Sequence, residues 1–278
     1  MNKLSTDKRA RVVGCLVEGM SIRATVRITG VAKNTITKLL VDLGLAYKEY
    51  QDKSFRNLHC QRIQCDEVWS FCYAKHKNVP EELKGVFGYG DIWTWSAICV
   101  DTKLVPSWLV ANRSAAAAYI FIDDLASRLK NRIQLTTDGH KVYLEAIEAS
   151  FGWEVDYAML IKLYGNEGGT GDAAARKYSP AECTEFKIIP VSGKPELEQI
   201  STSYVERNNH TIRMSMRSFT RLTNAFSKKV ENLDAAVALH FMYYNFGRIH
   251  KTLRVTPAME AGIADHVWSL EEIAGLLE

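Results

Sequence analysis

Three acidic residues occupy sequence positions where a carboxylate is suited to hold a metal ion. Asp66 lies within a largely apolar stretch, Asp138 directly follows another, and Glu206 stands at the start of a basic segment. From residue 207 to residue 230 the chain carries six Lys or Arg and no Asp or Glu. Hard divalent cations prefer carboxylate oxygens, and two such ions roughly 3.5–4 Å apart can activate a nucleophile and stabilise a leaving oxygen. The three acids therefore predict a two-metal site for phosphodiester chemistry.

The segment around Glu206 is predicted to be helical, and its spacing places further polar groups on the face of that acid. Asn209, His210 and Arg213 follow Glu206 by three, four and seven residues, which brings them to the same side of a helix. Arg213 is then placed to bind a DNA phosphate. The residues predicted to contact DNA in this part of the chain are Asn209, His210, Arg213, Arg217, Arg221, Lys228 and Lys229.

Each acid also has a simpler interpretation. Asp66 and Glu67 are neighbours, and the alternation of a strand would admit only one of them to a site. Asp138 could belong to an ordinary turn, and Glu206 could pair with a nearby arginine on its own helix. The metal site is favoured because all three acids fall on a strand, a strand end and a helix that could meet.

The elements that must position these acids form an alternating pattern. Apolar periodicity predicts strands at 62–73, 93–100, 104–110, 133–137 and 155–164, and helices at 114–129 and 142–151. Residues 165–200 are rich in Gly and polar residues, which predicts a loop-rich insertion. Helices are predicted again at 203–219, 227–246 and 269–277. Three antiparallel strands followed by helix, strand, helix and strand indicate a mixed α/β layer fold.

The N-terminal region has a different character. Helices are predicted at 5–18, 22–28 and 34–43, with a tight Gly-containing turn between the second and third, as in a helix-turn-helix. A three-helix bundle that binds protein, or only packs, is the alternative. The predicted division is a helix-turn-helix domain at 1–46, a linker at 47–60, a catalytic domain at 61–250 and a tail with a helix at 251–278. The DNA-contacting residues expected on the third helix are Lys33, Asn34, Thr35, Thr37 and Lys38.

Charge is distributed unevenly along the 278 residues, although the net charge is only +3. Residues 1–50 contain nine Lys or Arg against four acids, and residues 207–230 add six further positive charges. Two basic blocks around a near-neutral middle suit a chain that contacts nucleic acid. No apolar run is long enough for a membrane helix and no signal peptide precedes the first helix, so a cytoplasmic, nucleoid-associated location is expected. The six scattered cysteines include no Cys-x2-Cys pair, so neither disulfides nor structural zinc is predicted.

Several motifs taken together give the chain a family resemblance. The motifs lie at 66–71 (DEVWSF), 137–139 (TDG), 203–210 (SYVERNNH), 217–229 and 244–250 (YNFGRIH). Over about residues 60–260 the chain resembles bacterial insertion-sequence transposases of the DDE class, close to the insertion-sequence-one family, within the retroviral-integrase and ribonuclease-H-like superfamily. Many members carry an N-terminal zinc finger ahead of the helix-turn-helix, whereas this chain starts directly with the predicted helices.

The resemblance carries expectations about structure, chemistry and partners. It implies a ribonuclease-H-like catalytic domain with the DDE acids at Asp66, Asp138 and Glu206, and a basic residue at Arg213. It also implies two Mg²⁺ ions per active site, with Mn²⁺ as a substitute. The implied partners are double-stranded DNA, both the terminal inverted repeats of an element and the target, and further copies of the chain in a homodimer or larger multimer.

Two other classes of function remain open from the sequence. One is a catalytically silent DNA-binding regulator derived from a transposase, and the retained acids argue against it. The other is a metal-dependent DNA nuclease of the same fold. The predicted helix-turn-helix and the match around Glu206 favour transposition over the nuclease.

Overall fold

The computed structural model describes residues 4–164, 183–220 and 224–278. Its N-terminal part consists of α1 (Thr6–Val17), α2 (Ile22–Thr29) and α3 (Lys33–Ser54). The hydroxyls of Ser5 and Ser21 accept hydrogen bonds from backbone amides in the first turns of α1 and α2, which satisfies N–H groups that have no partner in the helix. Gly30 ends α2 in the left-handed conformation that glycine adopts at low cost.

The third helix is longer than the sequence pattern predicted. The sequence predicts an end at residue 43, before Gly44, and a linker from residue 47 onward, but α3 continues through Ser54. A Cβ atom at position 44 would lie 2.7 Å from the Cα atom of Ala235, so the glycine permits close packing against another helix rather than ending this one. Beyond it, Tyr47 is fully buried and the Gln51 side chain bonds to the carbonyl of Pro106. Tertiary packing therefore extends a segment whose own composition is polar.

A six-stranded mixed sheet forms the centre of the described chain. Its strands lie in the order β3-β2-β1-β4-β5-β6. The β1–β2, β2–β3 and β5–β6 pairs are antiparallel, whereas β1–β4 and β4–β5 are parallel. The predicted mixed α/β class is confirmed. The strands are β1 (Arg62–Cys72), β2 (Gly90–Cys99), β3 (Ser107–Ala111), β4 (Ile133–Thr137), β5 (Val155–Tyr164) and β6 (Cys183–Ser192).

Strand β6 corrects the expectation of a loop-rich insertion at 165–200. Residues 165–182 lie outside the described part of the chain, but β6 pairs with β5 along its length. The strand is hard to recognise because its ten residues include Pro190 and follow a Gly-rich polar segment. An edge strand tolerates proline because one side of its backbone needs no sheet partner.

Helices cover both faces of the sheet. On one side lie α4 (Ala115–Arg128) and α5 (Val142–Phe151), which pack on each other and against Trp95 of β2. On the other side lies α6 (Ser203–Ser215), whose first backbone amides donate to the Gln64 side chain on β1. The C-terminal helices are α7 (Val230–Met242), which is followed by a π-helical turn at Tyr243–Gly247, then α8 (Pro257–Glu260) and α9 (Leu270–Gly275).

The N-terminal helices share one hydrophobic core with the sheet and the C-terminal helices. Helix α1 packs against α9, and α3 packs along α7. Buried apolar side chains run without a break from Val13 through Tyr47 to Phe246. None of the helices in the described ranges is both long and apolar enough to cross a membrane.

Candidate metal centre and nucleic-acid groove

The unequal lengths of β1 and β4 create an open strand edge. The parallel pairing ends where Cys65 meets Thr137, and β1 continues to Cys72 with one further bridge on that side, to Ser227. Asp66 is the next residue of β1 and Asp138 is the first residue after β4, so the parallel register makes them neighbours. Oxygen atoms of Asp66, Glu67 and Asp138 all lie within 4.8 Å of one another. The predicted meeting of Asp66 with Asp138 is therefore present, with Glu67 as an additional member.

Asp66 is fixed by two hydrogen bonds. Its Oδ2 atom accepts from the Asn209 amide of α6 at 2.8 Å, and its Oδ1 atom accepts from the Glu67 backbone amide at 2.8 Å. Burial, followed by the negative charges of Asp138 and Glu67, raises the pKa of Asp66 to about 7. A nearby cation favours the ionised form of such a group, because it offsets both causes of the rise.

Glu67 leaves β1 on the opposite face from Asp66, towards α4 and α5. Its side chain is buried. The Oε2 atom of Glu67 accepts a hydrogen bond from Nε of Arg113 at 3.0 Å, and it forms an ion pair with Nη2 of the same arginine, also at 3.0 Å. The same arginine lies 3.8 Å from Oδ2 of Asp138 and stacks over the Trp93 ring. The buried Tyr143 hydroxyl of α5 interacts with the Glu67 carboxylate, and burial is the main cause that raises the pKa of this carboxyl.

The strand alternation predicted for Asp66 and Glu67 is present, but it does not separate Glu67 from the other acids. The two side chains do leave on opposite faces, but Asp138 lies beyond the end of β4 and approaches both. Its Oδ1 atom accepts from the His140 backbone amide at 2.9 Å, which orients the carboxylate. At position 139 a Cβ atom would lie only 3.0 Å from the Ile161 side chain, so glycine allows β5 to pass closely here.

Glu206 lies in the first turn of α6 and is not a member of this carboxylate group. It contributes to the raised pKa of Asp66, so it lies within electrostatic range. Its side chain is 43% exposed, forms an ion pair with Lys162 of β5 and accepts a hydrogen bond from the Thr202 hydroxyl at 2.7 Å. Positive charge from Lys162 thus offsets the repulsion between Glu206 and the other acids.

The two basic blocks of the sequence meet in one groove of about 870 Å³. Its walls are the α1–α2 turn and the first turns of α3 on one side, and the end of α6 with the residues preceding α7 on the other. Sequence spacing could not show this, since residues 51–206 separate the blocks. Seven predicted DNA-contacting residues line the groove, namely Lys33, Asn34, Thr37, Lys38, Arg217, Lys228 and Lys229.

The remaining predicted contacts are distributed differently. Thr35 and His210 are exposed but do not line the groove, and Arg213 is half-buried on α6. Asn209 is buried, and its amide holds Asp66, which is a different role from the predicted DNA contact. Arg221 lies outside the described residues.

Three residues around the predicted acids are not predictable from the sequence as members of the site. Glu67 stands beside Asp66, and strand alternation favours only one of the two. Arg113 and Lys162 carry no local signal, because each reaches the site only through the pairing of strands distant in sequence.

No family model and no curated protein sequence matches the chain. Among solved structures, the chain is similar to the piggyBac transposase in a cryo-EM synaptic complex with hairpin DNA. The sequences are 10% identical, the match covers 99% of this chain and 71% of the other, and the TM-score is 0.43. A TM-score of 0.43 is too low to assign a fold or a function to this chain by similarity.

Proposed function

We propose that the chain is a DDE-type DNA transposase with a ribonuclease-H-like catalytic domain. It binds terminal inverted repeats of a mobile element, cleaves to free 3′-OH ends and joins them to target DNA. The observation that carries the proposal is the group of carboxylate oxygens from Asp66, Glu67 and Asp138, all within 4.8 Å of one another. This group lies in a molecule whose two basic blocks form one groove, as binding of a polyanion requires.

The donor set suits Mg²⁺, with Mn²⁺ as a substitute, because every candidate ligand atom is a carboxylate oxygen. Asp66, Asp138 and Glu206 would hold two ions, and Glu206 would exchange its contact with Lys162 for one of them. The raised pKa of Asp66, caused by burial and by the charges of Asp138 and Glu67, is a feature that a cation would relieve. When bound, such ions supply an activated water or 3′-hydroxyl and a stabilised leaving oxygen.

The chain's own residues hold the carboxylates in place. Asn209 fixes Asp66 from one face of the sheet, and Arg113 fixes Glu67 and approaches Asp138 from the other. Partners of metal ligands commonly set the orientation of those ligands and so tune metal affinity. No covalent enzyme intermediate is required, since water and then the freed 3′-OH act as the nucleophiles.

Recognition of the element ends is assigned to α2 and α3 as a helix-turn-helix. Lys33, Asn34 and Lys38 are exposed at the start of α3 and also line the groove, so end DNA would contact both this element and the residues before α7. Two ends must be held together for joining, which calls for a homodimer or a larger multimer. The proposed location is the bacterial cytoplasm, associated with the nucleoid.

Cleavage and strand transfer test the proposal. Labelled DNA carrying the sequences that flank the gene is incubated with the protein in Mg²⁺ or EDTA, and 3′-end release and joining are followed on gels. Wild type should do both only with the metal, and Asp138→Ala should do neither while binding the ends. Asp123→Ala removes an exposed acid on α4 and should behave as wild type. Cutting without joining would indicate a nuclease, and binding without cutting would indicate a regulator; either result overturns the proposal.

A further inference from the structure

The first turn of α6 is capped by a side chain from outside the helix. Tyr204 and Val205 supply the second and third backbone amides of α6, to which the side chain of an N-cap residue ordinarily bonds. The N-cap residue here is Thr202, and its side chain makes no such bond. The side-chain oxygen of Gln64 on β1 accepts from both amides instead, at 2.9 Å and 3.1 Å. The sheet therefore supplies the cap for the start of this helix.

The hydroxyl of Thr202 contacts the third predicted acid instead. It donates to Oε1 of Glu206 at 2.7 Å, and the same oxygen forms an ion pair with Lys162. These contacts orient the carboxylate, but they do not fix the backbone that carries it. Glu206 directly follows the two capped amides, so its backbone position depends on whatever holds the first turn of α6 in place.

Gln64 relates that first turn to the first acid of the site. It is 3% exposed, and it precedes Asp66 by two residues on β1, so the two side chains leave the same face of the sheet. Further along α6, the Asn209 amide donates to Asp66 at 2.8 Å. Helix α6 is therefore attached to β1 both before and after Glu206, by side chains that are two residues apart on one strand.

We infer that Gln64 is a positioning residue, which fixes Glu206 relative to Asp66 so that both carboxylates can hold metal. The inference rests on the proposed function for the metal and for the role of Glu206. Gln64 acts through the backbone of α6 and is not itself a ligand, because two amides already occupy its oxygen. Without that oxygen both amides lose their acceptor and the start of α6 can shift, whereas a metal site requires its ligands to be held within about 0.5 Å.

The test is the affinity for Mn²⁺ of the protein without DNA, measured from the electron paramagnetic resonance signal of the unbound ion. The readout is the Glu206 ratio, which is the affinity of a protein that has Glu206 divided by that of the same protein carrying Glu206→Gln. Gln64→Met keeps the length of the side chain but removes the acceptor. It should weaken Mn²⁺ binding about 10–100-fold when Glu206 is present and leave it unchanged in the Glu206→Gln protein, so the ratio falls towards one. Gln64→Glu keeps an acceptor oxygen and should restore the wild-type ratio.

Gln134→Met is the matched control. Gln134 lies on the neighbouring strand β4, and its side-chain oxygen also accepts from a backbone amide, that of Glu196, which is not part of α6. This variant should keep the wild-type ratio. Gln64→Asn, which retains the amide on a shorter side chain, should also lower the ratio, and it replaces Gln64→Met if that variant does not fold.

Three results would overturn the inference: a wild-type ratio of one, a ratio that the variants at position 64 leave unchanged, or an equal loss of affinity with and without Glu206. The last result would show that Gln64 only supports the sheet or acts through Asp66. Metal-dependent cutting and joining alongside any of these results would leave the proposed function standing. A ratio that depends on Gln64 in a protein that does not cut DNA would support the positioning role and reject the proposed function.

Discussion

The carboxylate site and the basic groove hold their charged groups in opposite ways. At the carboxylate site, side chains of like charge are brought together in a partly buried position, and each is fixed by a specific donor such as Asn209 or Arg113. In the groove, lysines such as Lys33 and Lys229 extend into solvent from separate elements. Reaction chemistry depends on the fixed position of a few groups, whereas binding of a phosphate backbone depends on the sum of many charges. The two regions should therefore respond differently to mutation.

The largest effect is expected from removing a carboxylate. Asp66→Asn keeps the size of the side chain and a hydrogen-bonding oxygen but loses the charge that a cation requires. The rate of DNA cleavage at saturating DNA should fall by more than the ~10–100-fold that loss of a supporting partner costs. The dissociation constant for end DNA should stay within a few-fold of the wild-type value. A variant that cuts at the wild-type rate would remove the distinction between the two regions.

A smaller effect is expected from Arg113→Lys, which keeps a positive charge but cannot place two guanidinium nitrogens on Glu67. We expect roughly a 10–100-fold lower cleavage rate and weaker metal affinity, with DNA affinity unchanged. Single-turnover rates measured over a range of Mg²⁺ concentrations check this. Arg207→Lys, at an exposed position of α6, is the matched control. Weaker DNA binding with an unchanged rate would assign Arg113 to the DNA-contacting surface instead.

The floor of the groove should behave as a buried core rather than as a charged surface. His240 of α7 lines the groove but is buried, and burial, with a smaller contribution from the charge of Arg248, lowers its pKa to about 3. Because the unfolded chain takes up a proton near the ordinary value of 6.5 and the folded chain does not, stability falls as the pH drops below 6.5. The loss from this residue is at most about 2 kcal/mol near pH 5.

His240→Gln should therefore make the melting temperature less dependent on pH between about pH 7 and pH 5, by a few degrees. His210→Gln replaces an exposed histidine on α6 and is the matched control. An identical pH dependence in wild type and His240→Gln would show that this histidine can take up a proton within the fold.

The smallest single effects are expected in the groove. Lys228→Gln and Lys229→Gln each remove one exposed charge, so each should weaken duplex binding a few-fold and reduce the slope of log affinity against log salt by about one. Cleavage at saturating DNA should not change. Lys53→Gln, at the exposed end of α3, is the control and should keep the wild-type salt slope. Variants at 228 and 229 that bind normally but cut slowly would place these lysines among the catalytic groups.

Local patterns predicted the fold where local forces decide the structure. The predicted bounds of β4, α5 and β5 agree with the structure, because their apolar periodicity coincides with burial in the sheet and against it. The prediction was wrong for the end of α3, where close packing at Gly44 overrides the helix-breaking tendency of glycine. It also missed β6, whose pairing with β5 offsets a composition unfavourable to a strand.

Local patterns likewise predicted only part of the candidate site. Asp66 and Asp138 could be predicted to meet because each lies on a recognisable strand or strand end. Glu67 joins the group although alternation sends it to the opposite face of β1, because β4 ends at Thr137 and Asp138 can approach side chains from both faces. Lys162 holds Glu206 only because β5 and α6 converge, and no spacing along the chain carries that information.

The most direct test of the account is to map where a divalent metal binds on the folded chain. Fe²⁺ with ascorbate and peroxide produces hydroxyl radicals at its binding site, and these cut the nearby backbone. The account predicts cuts next to Asp66 and Asp138 that excess Mg²⁺ suppresses, that disappear in Asp66→Asn and that persist in Lys229→Gln. Cuts that are unchanged in Asp66→Asn, or that fall elsewhere on the chain, would contradict the assignment of these carboxylates as the metal centre.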